Sequence, residues 1–253
     1  MSPDERRTLS ADYTQLAKRL ERGSSQNMRL LEKAIRINPS NDLAHYELSI
    51  PYLHNGMYEK WNNHITQAVE LNPQAWQGWR GYSKLFFLRD YGGALVDLDA
   101  TDTLTVDKTD YAQNMSVDYL RALCYLGLNN LEKSREYFMI YTEKEEASVG
   151  EKFVNENAFL YLAIIELMDE KPGTALEYLN RAVKFEEGLA DMYFHKARAL
   201  YKLNFVKEAR ESFEKAKALF DEGRYLRGYR YEAIEQIYES DFQRLKDKLF
   251  SEV

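Results

Sequence analysis

Apolar positions along this chain fall mostly at helical spacing, and one stripe recurs. A small residue is followed four positions later by a large apolar one and three positions after that by another small one. Ala175/Leu179/Ala182 and Ala209/Phe213/Ala216 are the clearest copies. Asn27/Leu31/Ala34, Trp61/Ile65/Ala68, Ala94/Leu98/Thr101 and Ser134/Phe138/Tyr141 keep the spacing, with Trp61 and Tyr141 as bulky exceptions. Residues at i, i+4 and i+7 share one face of a helix, so each stripe predicts an amphipathic helix whose narrow face lets a second helix approach closely. The carboxyl-terminal segment is patterned differently. Ala233, Ile234, Ile237, Tyr238, Phe242, Leu245 and Leu249 recur at steps of three and four, which predicts one amphipathic helix of about six turns covering the end of the array.

The stripes are periodic. Ala34 and Ala68, Pro39 and Pro73, and Ala175 and Ala209 are each 34 residues apart. Ala94 to Ser134 and Ser134 to Ala175 are 40 and 41 apart, which places extra residues near 104–112 and 143–152. In the second unit, Leu48, Tyr52, Gly56, Tyr58, Ile65, Ala68, Leu71 and Pro73 fall on the pattern W-x2-L-G-x2-Y, A-x3-F, A, P. On these residues the chain resembles the tetratricopeptide repeat family, of bacterial type. The resemblance implies an all-α fold, a right-handed superhelix of about six helical hairpins over residues 8–223. A tail over 1–7 would precede it and a capping helix within 224–253 would close it.

Composition agrees with long helices, since 253 residues carry 12 glycines and 5 prolines, and no sheet is expected. Acidic residues outnumber basic ones, 41 to 34, and a net charge of -7 argues against a nucleic-acid partner. No run approaches the roughly 18 consecutive apolar residues of a membrane span. The chain is expected to be soluble, in the cytoplasm or, if the gene encodes an export signal before Met1, in the periplasm or envelope. Cys124, the single cysteine, sits among apolar neighbours and reads as a packed residue.

One motif points elsewhere. Asp97-Leu-Asp99-Ala-Thr101 is similar to the DxDxT nucleophile motif of haloacid dehalogenase-like phosphatases, where the first Asp attacks a phosphoryl group. Here the stripe Ala94/Leu98/Thr101 makes the segment a helix. Residues two apart on a helix are rotated by about 200°, so the two carboxylates point apart and cannot share a substrate. Both are expected on a solvated helical surface. The cluster Asp97, Asp99, Asp102, Asp107 and Asp110 lacks the glycine and terminal glutamate of a calcium loop. His45, His54, His64 and His195 form no HxxxH or HExxH motif, and no glycine-rich phosphate loop is present. No catalytic residue, metal or cofactor is expected, and the chain is read as a non-enzyme.

The family resemblance implies that the first helix of each hairpin lines a groove that holds a partner peptide. Carried across by register, the groove positions are Tyr46, Ile50, Leu53 and His54; Arg80, Lys84 and Phe87; Tyr119, Leu123 and Leu126; Leu160, Ile164, Leu167 and Met168; and Asp191, Phe194, Arg198, Tyr201 and Lys202. Tyr46, His54, Arg80, Lys84, Tyr119, Phe194, Arg198, Tyr201 and Lys202 are the candidate partner-binding residues. The family's carboxylate clamp is absent from the first repeat, where Asp12 and Leu16 occupy its Lys and Asn positions. Apolar groups with Arg198 and Lys202 suit a protein or peptide partner such as an amphipathic helix carrying acidic residues. The expected role is a scaffold or adaptor; the alternative is a structural subunit of a bacterial envelope or secretion assembly.

Overall fold

The computed structural model describes residues 1–104, 111–185, 187–228 and 230–251. Asp107, Asp110 and most of the expected insertion at 104–112 lie outside them. The chain divides into two compact units, residues 1–117 and 118–253. Thirteen α-helices account for nearly all regular structure among the described residues.

The first unit holds α1 (Pro3–Lys18), α2 (Ser25–Ile37), α3 (Asp42–His54), α4 (Tyr58–Leu71), α5 (Pro73–Ser83) and α6 (Tyr91–Leu104). Side-chain oxygens of Ser24, Asn41 and Asn72 accept from backbone N–H groups in the first turns of α2, α3 and α5, satisfying donors that a helix start leaves open. Ser2 and Glu5 form a reciprocal capping box around Pro3. Residues 3 to 7 are therefore the opening turns of α1, not a tail. A π-helical turn, Lys84–Leu88, extends α5. Sheet is also present, in miniature: β1 (Tyr111–Ala112) pairs antiparallel with β2 (Met115–Ser116). Gln113 and Asn114 between them both have positive φ, 52° and 60°, the geometry of a two-residue hairpin turn.

The second unit holds α7 (Val117–Gly127), α8 (Leu131–Val149), a 3₁₀ turn at Glu151–Phe153, α9 (Glu156–Met168), α10 (Pro172–Ala182), α11 (Ala190–Lys202), α12 (Val206–Asp221) and α13 (Glu239–Phe250). Every hairpin turns through one left-handed residue: Gly23, Gly56, Arg89, Asn129, Glu170 and Asn204. The recurring stripe is the hairpin interface. Leu31, Ala34, Ala68, Ala94, Leu98, Phe138, Ala175, Leu179, Ala209 and Ala216 have no exposed surface. Ser134 adds a bond that its small size permits, donating from Oγ to the Ala122 carbonyl of the facing helix at 2.8 Å.

The end of the chain departs from the expected six-turn helix. Among the described residues of 224–238 no α-helix forms, φ is positive at Arg230 (66°) and Glu235 (57°), and α13 covers 12 residues. Competing hydrogen bonds explain the irregular path. The Asp191 carboxylate accepts from the Leu226 N–H at 2.7 Å, the Ala190 N–H donates to the Arg224 carbonyl at 2.9 Å, and the Tyr161 hydroxyl donates to the Ile234 carbonyl at 3.2 Å. Ala233, Ile234 and Ile237 are still buried, so their spacing reflects burial of an irregular strap. Phe242, Leu245 and Leu249 of α13 join the core formed by Phe194, Phe213 and Leu219, and Arg210 Nε donates to the Leu249 carbonyl at 2.9 Å.

Candidate partner-binding surface

The first helices of the hairpins do not present the expected residues equally. On α3, Tyr46 is buried, with its ring stacked on Trp76 at 4.0 Å and edge-on to Trp79 at 5.1 Å. Burial raises its phenol above the usual range. Ile50 and Leu53 are buried core. His54 is half-buried against Phe87, ring centres 5.6 Å apart.

Arg80 on α5 and Lys84 in the π-helical turn that extends it are consumed inside the first unit. Both converge on Asp97 of α6, which has no exposed surface. Arg80 Nε donates to Asp97 Oδ2 at 2.9 Å, Gln77 Nε2 donates to Oδ1 at 2.7 Å, and the Lys84 ammonium lies 2.9 Å from Oδ2. This overturns the expected solvated position for Asp97. The helical assignment itself holds: Asp99 is exposed while Asp97 faces the hairpin interior. A carboxylate enclosed by three side chains is not presented as a nucleophile toward solvent. Among the described residues, no group of three or more His, Cys, Asp or Glu could hold a metal.

On α7, Tyr119 is core as well, edge-on to Phe138 at 5.4 Å and Tyr141 at 5.3 Å, and burial raises its phenol. Leu123, Leu126, Leu160, Ile164 and Leu167 are buried, whereas Met168 is exposed. α3 packs on α4 and on the α1/α2 hairpin, and α9 packs on α10, α8 and α11, so α9 buries ten of its 13 residues.

On α11 the picture changes. Asp191 and Phe194 are buried, Phe194 beneath Phe242 at 5.0 Å. Arg198, Tyr201 and Lys202 line an open cleft of about 290 Å³ with Phe194 at its floor. Its opposite wall is α13, through Asp241, Arg244, Leu245 and Lys248. Tyr201 is 37% exposed. Arg198 lies 3.0 Å from His195 Nδ1 through one guanidinium nitrogen, and Lys202 pairs with Glu170. Arg244 and Lys248 were missed from sequence, because their placement depends on how α13 docks.

Residues 190–220, the α11/α12 hairpin, match the family model described as tetratricopeptide repeat. No curated protein matches the sequence significantly. Among solved structures, PilW, described as a widely conserved type IV pilus biogenesis factor, superposes with a TM-score of 0.67 at 19% identity, covering 93% of this chain and 97% of that one. PilF of Pseudomonas aeruginosa superposes at 0.68 with 17% identity, covering 96% and 99%. YrrB, described as a TPR protein with an unusual peptide-binding site, superposes at 0.53 with 14% identity, covering 75% and 91%. The sixth hairpin thus matches the tetratricopeptide repeat by sequence, and the fold along nearly the whole chain is the one these solved structures share.

Proposed function

We propose that this chain is a non-enzymatic scaffold or adaptor that binds a protein or peptide through the first-helix face of its carboxyl-terminal hairpin. The observation that carries the reading is the open cleft at Arg198, Tyr201 and Lys202. Most other first-helix candidates are enclosed: Tyr46 and Tyr119 are core, and Arg80 and Lys84 serve Asp97. Tyr and Arg are the residue types that most often dominate interface energy, and both stand at this cleft. Replacing Arg198 and Tyr201 together with Ala should weaken partner binding by at least about 2 kcal/mol. Unchanged partner recovery by a variant of normal helicity would remove the cleft from the binding surface.

The likeness to PilW supports a second reading, in which the partner belongs to an envelope or secretion assembly. A photo-crosslinking residue placed at Tyr201, with the adducts identified by mass spectrometry in the source cell, separates the two. Envelope components among the adducts favour the second reading, and soluble partners favour a general adaptor.

A further inference from the structure

We infer that α13 is half of the binding site as well as a cover for the core: the cleft between α11 and α13 takes an acidic helical segment, with carboxylates one helical turn apart flanking one large apolar side chain. The inference rests on the scaffold reading and adds the partner's chemistry and a second wall.

Charge is the first support. The chain as a whole is acidic at -7, yet the cleft lining holds Arg198, Lys202, Arg244 and Lys248 with one carboxylate, Asp241, while Glu170 and Glu235 act on Arg198 from beyond the lining, so cations remain in excess. A local excess of cations on an acidic molecule concentrates an anionic ligand at that place and repels it elsewhere. The imbalance is also poorly met from within. Arg244 reaches Asp241 at 3.6 Å with the arginine side chain 74% exposed, and Lys202 meets Glu170, itself 75% exposed. Exposed pairs of this kind are worth little, so a ligand carboxylate can replace them readily.

Spacing is the second support. Arg198 and Lys202 are four residues apart on α11, and Arg244 and Lys248 are four apart on α13. Residues so spaced lie about 5–6 Å apart at Cβ on one helix face. A helix with Glu or Asp at i and i+4 presents carboxylates at the same interval. Between the two cationic ladders the floor is apolar, formed by Phe194 and Leu245 with the Tyr201 ring beside them. One leucine or phenylalanine side chain of the ligand covers it, combining a buried anchor with a charged rim.

The experiment uses the full chain and a labelled synthetic helical peptide with glutamates flanking one leucine, followed by fluorescence anisotropy at low salt. A peptide with glutamine for glutamate is the uncharged control. The double change Arg244→Glu and Lys248→Glu should weaken binding at least about tenfold, and added salt should weaken the wild-type interaction. Lys246→Glu changes the charge of the same helix by the same sign outside the cleft and should have much less effect than Lys248→Glu. Equal binding of the glutamine peptide, equal effects of Lys246→Glu and Lys248→Glu, or tighter binding of a single-stranded oligonucleotide each overturns the inference. If Arg198→Ala with Tyr201→Ala abolishes peptide binding while Arg244→Glu with Lys248→Glu leaves it intact, the groove on α11 stands and the role of α13 fails. If neither double variant alters binding, both readings fail.

Discussion

Replacing Asp97 with Asn should unfasten the α5/α6 hairpin, although it preserves side-chain shape. The carboxylate is wholly buried, and the side chains of Arg80 and Lys84 that neutralise it are 17% and 18% exposed. Removing one partner of a buried ion pair costs about 3–5 kcal/mol, because the remaining charge is left uncompensated. Two features lower that figure here. Asparagine can still accept from Gln77, and both cations can turn partly toward water, so a loss of about 2–3 kcal/mol is expected. Trp61, Trp76 and Trp79 all lie in the first unit, so a urea titration followed by tryptophan fluorescence reports this unit selectively. The midpoint should fall with little change in slope. Asp99→Asn, on the exposed face, should stay within about 0.5 kcal/mol. A loss for Asp97→Asn as small as that control would refute the argument and return Arg80 and Lys84 to the candidate binding surface. Magnesium-dependent hydrolysis of an acyl or aryl phosphate, abolished in the same variant, would revive the phosphatase motif.

Two further substitutions test the packing. Phe242→Ala removes a ring that contacts Phe194, Phe213 and Phe220, and it should destabilise the second unit by about 3–5 kcal/mol in the far-UV dichroism transition. At Gly81, a Cβ would sit 3.1 Å from Leu98 Cγ and 3.2 Å from Asp97 Cβ. Gly81→Val should therefore cost the first unit about 1–3 kcal/mol by overpacking, and equal or higher stability would show that α5 and α6 have room to part.

The hairpins were legible because their interface repeats. Ala68, Ala94, Ala175 and Ala209 are wholly buried on the face where the two helices of a hairpin meet. The candidate surface was legible as register and not as exposure. Tyr46 and Tyr119 lie on first helices, α3 and α7, yet exposure there is set by whatever ring stands opposite: Trp76 in one case, Tyr141 in the other. The Asp97 cage was hidden for a related reason, since Gln77, Arg80 and Lys84 lie 13 to 20 residues before it and nothing local in DLDAT announces three donors. At the carboxyl end, the apolar spacing of Ile234 and Ile237 mimicked a helix, and Asp191 and Tyr161 took the backbone groups that a helix would have used.

Asp191 leads to a prediction about pH. Burial raises its carboxyl from 3.8 to about 6, against the opposing bond from Leu226. The folded state thus holds this proton more tightly than the unfolded one. Stability from the group is fully present below 3.8 and is lost as pH rises through about 6. One turn along α11, His195 behaves oppositely. It is 3% exposed, and burial, followed by the Arg198 charge, holds its imidazole well below 6.5. Its contribution is present above 6.5 and is lost as pH falls. As pH falls from about 6 toward 4.5, Asp191 adds stability and His195 removes it, so the two effects oppose each other in the second unit. Asp191→Asn removes one side of that opposition and should leave the second unit about 1.5 kcal/mol less stable at pH 4.5 than at pH 6, relative to the wild type. The first unit has no such counterweight among the shifts found there. His64, its imidazole lowered to about 4 chiefly by burial, faces His45 with their Nδ1 atoms 3.2 Å apart, and stability from both is lost as pH falls. Tryptophan fluorescence should accordingly show the same acid-weakened first unit in both proteins, while far-UV dichroism separates them. Parallel dichroism curves for wild type and Asp191→Asn across this window would show that Asp191 does not hold the proton that its burial implies.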